Sequence, residues 1–269
     1  MLFRIVVLLI ALFCSTLSAE QTVPLDIKLC EVHTPYGIPT SKKIDTSTIC
    51  RKGYVTQHDN QAKIPIWVSY SLTPAHAVGC LKRSNSFAAD KSLPASKRSD
   101  PDDYSRSGYD TGHIANAADM SWDEDVEHDS FILTNMTPQL PALNRGQWKE
   151  LETNIRSWTI SNNHTLLIYA GPIYNTSTNK KIGKGVVVPD AFFKIVIDQQ
   201  TFKTISFIFP HEDVEHLENQ RVSIATIEKQ TAVVFPVPQK VSKKTVSDMW
   251  PVDQKLLVSS KKVACSVAQ

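Results

Sequence analysis

From residue 64 to residue 72 the chain alternates Ile64, Ile66, Val68, Tyr70 and Leu72 against mostly polar neighbours. That two-residue period predicts a strand with one buried face. The period changes after Pro138 and Pro141, where Leu151, Ile155 and Trp158 recur at i, i+4 and i+7 and predict a helix running to about Trp158. Shorter apolar runs at 131–133, 165–170, 192–197 and 204–209 read as further strands, the second of them stopped by Gly171-Pro172. Residues 223 to about 230 read as a short helix, and the polar stretch 91–106, with its Ser, Pro and Asp, as a loop. Strands mixed with helices, without strict βαβ alternation, indicate an α+β fold: a mainly antiparallel central sheet flanked by helices. There is no internal repeat and no low-complexity tract.

Length and composition narrow the organisation. With 269 residues, 42% of them hydrophobic, the chain can bury one sizeable core, and no composition break divides 51–269. Residues 1–19 differ in kind: Arg4 precedes an unbroken apolar run over 5–14, followed by Ser-Thr-Leu-Ser-Ala19. This pattern reads as a cleaved secretory signal, too short to span a membrane. Bulky Phe13 argues against a lipoprotein anchor at Cys14. The expectation is a secreted or periplasmic protein without stable membrane association. Residues 20–50, rich in Pro, Thr and Lys, read as an irregular arm. Loss of Cys14 with the signal leaves Cys30, Cys50, Cys80 and Cys265, an even set that favours two disulfides in an exported chain. Three pairings are open; the favoured one joins Cys30 to Cys50 and Cys80 to Cys265, which makes the arm disulfide-linked.

Charge decides less. A net charge of +2 gives no global basic field to attract nucleic acid. The local pairs Lys82-Arg83, Lys97-Arg98, Lys180-Lys181 with Lys184, and Lys243-Lys244 each read, taken alone, as solvated surface.

The chemistry concentrates in one stretch. Residues 109–120 read Tyr-Asp-Thr-Gly-His-Ile-Ala-Asn-Ala-Ala-Asp-Met, followed by Asn135-Met-Thr-Pro-Gln139 and by Asn144 and Glu152. His113 titrates near neutrality and suits taking a proton from water, while a neutral oxygen ligand such as Asn144 suits a hard cation like Mg²⁺. A base plus a hard metal is the minimum equipment for hydrolysing a phosphodiester. Gly112 permits a sharp turn before His113 or a position without room for a Cβ. Glu152 lies eight residues after Asn144, about 12 Å along a continuous helix. Its carboxylate, leaning back toward the N-terminus, would reach a metal-bound water rather than the metal itself. Two other signals carry no site. His211 and His216 are five apart, about 140° around a helix, which is not the i, i+4 pair of a zinc protease. The acidic run 123–129 lacks the glycine and ligand spacing of a calcium loop and reads as a helix end. Asn135, Asn163 and Asn175 begin glycosylation sequons; a glycan on Asn135 would block the candidate site, so that sequon is read as an accident.

These motifs resemble the DNA/RNA non-specific endonuclease family of ββα-metal nucleases. Asp110-Thr111-Gly112-His113 stands where the family has Asp-Arg-Gly-His, Asn135 precedes Thr-Pro-Gln, and Asn144 and Glu152 follow in order. Weaker matches at 67–70, at Lys82-Arg83 with Phe87 and Asp90, at 171–174 and at 189–194 extend the resemblance over roughly residues 50 to 240. The resemblance implies a ββα-metal motif, DNA and RNA as substrates, and Mg²⁺ as cofactor with Mn²⁺ as a substitute. It implies His113 as general base and Asn144 as metal ligand, with Glu152 and Asn135 supporting metal waters or phosphate and Arg83 clamping phosphate. Asp110 would stand behind them, orienting the imidazole or bracing its turn. Thr111 departs from the pattern: it replaces the arginine of the tetrapeptide, and Arg106 or Arg145 are candidates to supply the missing charge. A catalytically weakened nucleic-acid-binding protein on the same fold is the alternative reading, a disulfide-rich interaction protein a third, and a homodimer is left open.

Overall fold

A computed structural model describes residues 27–267; the expected signal over 1–19, with Cys14, lies outside the described residues. In chain order the elements are α1 (Ile27–His33), β1 (Thr40–Ser41), β2 (Thr46–Cys50), β3 (Val55–Asp59), β4 (Ile64–Leu72), α2 (Pro74–Ala77), α3 (Pro101–Tyr104) and β5 (Asp110–His113). There follow α4 (Glu124–Ser130), β6 (Met136–Gln139), α5 (Pro141–Arg145), α6 (Gln147–Asn162), β7 (Leu166–Ile173), β8 (Lys181–Ile182) and β9 (Val186–Val187). The last elements are β10 (Ala191–Asp198), β11 (Thr204–Pro210), α7 (Ile224–Thr231), β12 (Val233–Val234) and α8 (Gln254–Val267). Six strands form one sheet in the order β11-β10-β7-β4-β3-β2, and every neighbouring pair is antiparallel. This is the α+β, antiparallel architecture expected from the pattern.

Strand β4 is buried on both faces, not one: only Ser71 of its nine residues escapes full burial. The reason is a second layer. Val68, Tyr70 and Leu72 meet Trp148, Leu151, Ile155 and Trp158 of α6 on one side of the sheet. Trp67, Leu167, Tyr169, Phe193 and Ile195 meet Cys30 of α1, Ile224 and Ile227 of α7, and Phe235 on the other. Each fully buried large side chain contributes on the order of 1.5–3 kcal/mol relative to exposure.

Four local expectations change. The residues 27–50 of the expected irregular arm carry α1 and the edge strand β2, which pairs with β3 and is tied to α1 by the Cys30–Cys50 disulfide. Residues 131–133 are not a strand; Ile132 alone bridges Ala88, and a 3-10 turn spans Leu133–Asn135. Gly171-Pro172 does not end β7. Strand β4 pairs with β7 only as far as Ala170, so Pro172 sits where β7 has β10 as its single neighbour and a missing N–H is tolerated. The helix expected to reach Trp158 in one piece is broken at Gly146, whose ψ of −119° separates α5 from α6. A Cβ there would lie 2.4 Å from the Ala142 carbonyl oxygen.

A charge is buried in the sheet between these layers. Lys194 of β10 is fully buried between Phe192 and Val196, its Nζ 4.2 Å over the Trp148 ring and 3.5 Å from Glu152 Oε1 of α6. Beside it Asp119 accepts from Arg156 Nη1 of α6 at 2.8 Å and from the Tyr70 hydroxyl of β4 at 2.8 Å. Burial pushes Glu152 up and Lys194 down, and their mutual attraction opposes both shifts. Removing one partner of such a pair leaves an uncompensated buried charge. Lys194→Ala is therefore expected to lower unfolding free energy by roughly 3–5 kcal/mol in urea titration. A loss under about 1 kcal/mol would mean that the pair does not hold α6 to the sheet.

Candidate active site

The ββα arrangement comes from one short antiparallel pair and the helix after it. β5 and β6 align Asp110 with Gln139 and His113 with Met136, and α5 starts two residues beyond Gln139. Gly112 serves this pairing by close approach and not by a sharp turn. It lies in extended β5, where a Cβ would stand 2.3 Å from Gln139 Oε1.

His113 ends β5 with its ring wedged against Phe131, edge-on with centroids 4.8 Å apart, and tilted against Phe87 at 5.7 Å. Among the described residues its Nε2 is buried without a partner, whereas Nδ1 is not sealed off and makes no hydrogen bond. Desolvation by burial, and then the neighbouring Arg83 cation, press its pKa down to about 3. The imidazole is thus neutral across the physiological range.

Asp110 touches neither the imidazole nor a turn. One carboxylate oxygen accepts from Asn144 Nδ2 at 2.9 Å and from Arg145 Nε at 2.9 Å, and the other from Arg145 Nη2 at 2.6 Å. The carboxylate so engaged has its pKa held below the usual range, against the upward pull of burial, by Arg145 and Asn144. With Nδ2 committed to Asp110, the Asn144 side chain leaves Oδ1 as an acceptor without a hydrogen bond among the described residues.

Glu152 receives a hydrogen bond from Asn116 Nδ2 besides its pairing with Lys194. Because Gly146 bends the chain between them, Glu152 and Asn144 do not share one straight helix and both reach the same cleft. Arg83 stands opposite. Its Nε donates to Asn85 Oδ1 at 2.6 Å and its guanidinium lies 4.9 Å over Phe131.

Asn135 is the exception among the expected site residues. It is completely buried; its Oδ1 accepts from the Ala115 amide at 2.8 Å, and its Nδ2 donates to the Ala115 and Ser130 carbonyls. Every polar atom of that side chain is consumed in fastening the loop after His113 to the turn before β6. It does not line the cleft, so a direct contact with metal water or phosphate is replaced by a positioning role. The same burial removes its sequon from reach of a glycan.

The cleft, of about 750 Å³, is lined by His113, Arg83, Asp110, Asn144 and Glu152, together with Thr111 and Arg145. Arg145 therefore stands beside the position where Thr111 replaces the usual arginine, and Arg106 does not line the cleft. Asn116, Lys149, Arg156 and Lys261 also line it and were missed from the sequence. Asn116 carried a signal, lying three residues after His113; Arg156 sits one helical turn after Glu152; Lys149 and Lys261 carried none. Of the basic pairs only Arg83 lines the cleft, while Lys97 pairs with Asp45 and Lys243 with Glu228.

The unused histidine motif has another function. His211 follows β11, its Nε2 accepting from the Leu140 amide at 2.7 Å and its Nδ1 donating to the Pro189 carbonyl at 2.7 Å. Leu140 is the N-cap of α5, so this neutral imidazole braces the helix that carries Asn144. The acidic run at 123–129 is not a helix end but the N-cap and nearly all of α4, with Asp123 accepting from the Asp125 and Val126 amides and Glu127 buried.

The model of the DNA/RNA non-specific endonuclease family matches residues 33–242. The chain belongs to this family. It is 32% identical over 217 residues to the mitochondrial endonuclease G of Bos taurus, across 74% of this chain and 71% of that protein. A nuclease of Nostoc sp. is 36% identical over 160 residues, covering 59% of this chain and 57% of its own. Among solved structures, the crystal structure of the EndoG/EndoGI complex superposes with a TM-score of 0.68. It is 27% identical and covers 76% of this chain and 90% of that one. Membership makes the chain an enzyme that hydrolyses nucleic acid and places it among metal-dependent nucleases.

The donor set fits a hard, hydrated cation. Among the described residues no cluster of three or more His, Cys, Asp or Glu could hold a metal, and Asn144 Oδ1, without a hydrogen bond there, could serve as an oxygen donor in the cleft. A single oxygen ligand suits an ion that keeps most of its waters. Asp110 fixes the amide so that the oxygen, not the nitrogen, is presented. Asp110→Ala is therefore expected to raise the divalent-cation concentration for half-maximal activity by roughly 10–100-fold. An unchanged cation titration would show that Asn144 needs no such brace.

Proposed function

We propose that the chain is an exported, Mg²⁺-dependent endonuclease that cleaves DNA and RNA without strong sequence preference, with His113 as the general base. The observation that carries this reading is the convergence of a neutral imidazole, a free carboxamide oxygen and a guanidinium on one cleft.

His113 Nδ1 accepts a proton from the attacking water as its oxygen bonds to phosphorus. Arg83 faces the negative charge that develops on the phosphoryl oxygens, where a guanidinium offers paired donors. Asn144 Oδ1 would hold Mg²⁺, or Mn²⁺ in its place, and Glu152 would orient the waters of its shell. Bound there, the cation supplies Lewis-acid stabilisation of the leaving 3′ oxygen, so that products carry 5′-phosphate and 3′-hydroxyl ends. Arg145 lines the same cleft as Thr111 but is paired with Asp110, so the case for an active enzyme over a weakened binding protein rests on the retention of His113, Asn144 and Glu152 in the cleft. Export rests on the signal-like segment 1–19 and on two disulfides, which persist in oxidising compartments.

Plasmid nicking with and without EDTA tests the reading directly: cleavage should require the cation, and His113→Ala should lower turnover at least ~10²-fold. Wild-type cutting by the variant would remove His113 as the base.

The pH profile supplies a further check. An imidazole is active as a base when neutral, and burial lowers its pKa, so the active form persists below the ordinary histidine range. The acid limb of kcat/KM, which reports the free enzyme, is expected well below pH 6.5. Removing the Arg83 charge should move that limb upward. An acid limb near 6.5 in both proteins would mean that His113 is not held in a desolvated site.

A further inference from the structure

The family match stops at residue 242, but the chain continues and returns to the cleft. Arg221 Nη1 donates to the Ser247 carbonyl at 2.9 Å, and Trp158 of α6 donates from Nε1 to the Trp250 carbonyl at 3.2 Å. The Asp253 amide then donates to Ser157 Oγ at 2.8 Å, and the Asp253 carboxylate accepts from the Leu256 amide, capping α8. These contacts lay α8 along α6 in one rotational setting. Leu257, Lys261, Ala264 and Cys265 follow the i, i+4, i+7, i+8 spacing of a single helical face. Leu257 is buried, and Cys265 closes a disulfide with Cys80, three residues before Arg83. Between these two anchors the same face carries Lys261 into the cleft wall.

Lys261 makes no hydrogen bond or ion pair among the described residues. It stands near Arg156, a like charge, and near Asp119, whose two oxygens are already engaged by Arg156 and Tyr70. The wall holds five cations, Arg83, Arg145, Lys149, Arg156 and Lys261, against the three carboxylates of Asp110, Glu127 and Glu152. The Cys80–Cys265 bond joins residues 185 positions apart and so fixes the tail against the body of the domain.

We propose that Lys261 binds a backbone phosphate of the nucleic acid away from the scissile bond. The C-terminal helix, latched by Cys80–Cys265, is then one wall of the substrate path. The contact adds affinity in ground and transition states alike, so it acts on KM and not on kcat. This inference rests on the nuclease reading of the cleft.

The test is steady-state cleavage of duplex DNA across a salt series by wild type, Lys261→Ala, and Lys262→Ala, which removes an exposed charge one residue away. Lys261→Ala should raise KM about two- to tenfold at low salt, with kcat within about twofold. Its log–log salt dependence should be shallower by about 0.9, the value of one lost phosphate contact. Lys262→Ala should match wild type. A KM and salt slope equal to wild type in Lys261→Ala overturns the proposal, as does an equal effect of Lys262→Ala. Cys80→Ser/Cys265→Ser should reproduce the Lys261→Ala shift, and adding Lys261→Ala to it should change nothing more. Full independence of the two would show that the latch does not place the lysine. Failure of the nuclease reading looks different, since wild type itself would then leave the DNA uncut.

Discussion

A lysine buried in a β-sheet must find a carboxylate, and most of the architecture around the cleft follows from that requirement. Lys194 sits between Phe192 and Val196 on the sheet face that α6 covers, and only Glu152 of α6 reaches it. That pairing selects one rotation and one height of α6 over the sheet. The same setting brings Arg156 to Asp119 and presents Glu152 to Asn116 in the segment following His113. A pair of this kind adds little net stability compared with apolar residues of similar volume, but it penalises alternative packings heavily. Its consequence is a cleft floor whose charged groups are held by mutual neutralisation and not by solvent.

Against that floor the ββα unit is small, and two polar clasps hold it. Asp110 ties β5 to α5 through Asn144 and Arg145, and Asn135 ties the start of the excursion after His113 to its end. His211 adds a third attachment, from the end of β11 to Leu140, the N-cap of α5. The active groups therefore project from backbone fixed at several points. Such support fixes where the Asn144 carboxamide oxygen stands in the cleft. The desolvated imidazole next to Arg83 follows from the same compaction, with Phe87 and Phe131 packed against its ring.

Much of this was legible in the chain, and the misreadings share a cause. The alternation over 64–72 reported one apolar face because a strand covered on both sides by polar-tolerant positions, such as Ser69 donating to the His33 carbonyl, looks half-exposed. Gly171-Pro172 read as a terminator because proline costs a ladder hydrogen bond, yet the cost vanishes where the neighbouring strand has ended. Asn135 read as a site residue because a carboxamide among site motifs has the right chemistry for phosphate or metal water. Only its burial and its three backbone bonds reveal a structural function. Asp110 likewise stood next to the correct residues in sequence, but its partners were Asn144 and Arg145, over thirty positions away.

Local information determined what local physics controls: the period of the hydrophobic positions, the break at proline and glycine, the even cysteine set, and the types of residue able to act on a phosphodiester. From these came the α+β class and the antiparallel sheet, while the resemblance of the motifs to the endonuclease family added the candidates His113, Asn144, Glu152 and Arg83. Tertiary structure decided which carboxylate serves which cation, which carboxamide faces the cleft, and how far desolvation moves His113. It also carried Lys149, Arg156 and Lys261 to the cleft wall from positions with no motif. Hydrogen bonds and ion pairs between residues distant in sequence depend on the relative placement of whole elements. That placement is set by the packing of both faces of the sheet, which no short stretch of the chain contains.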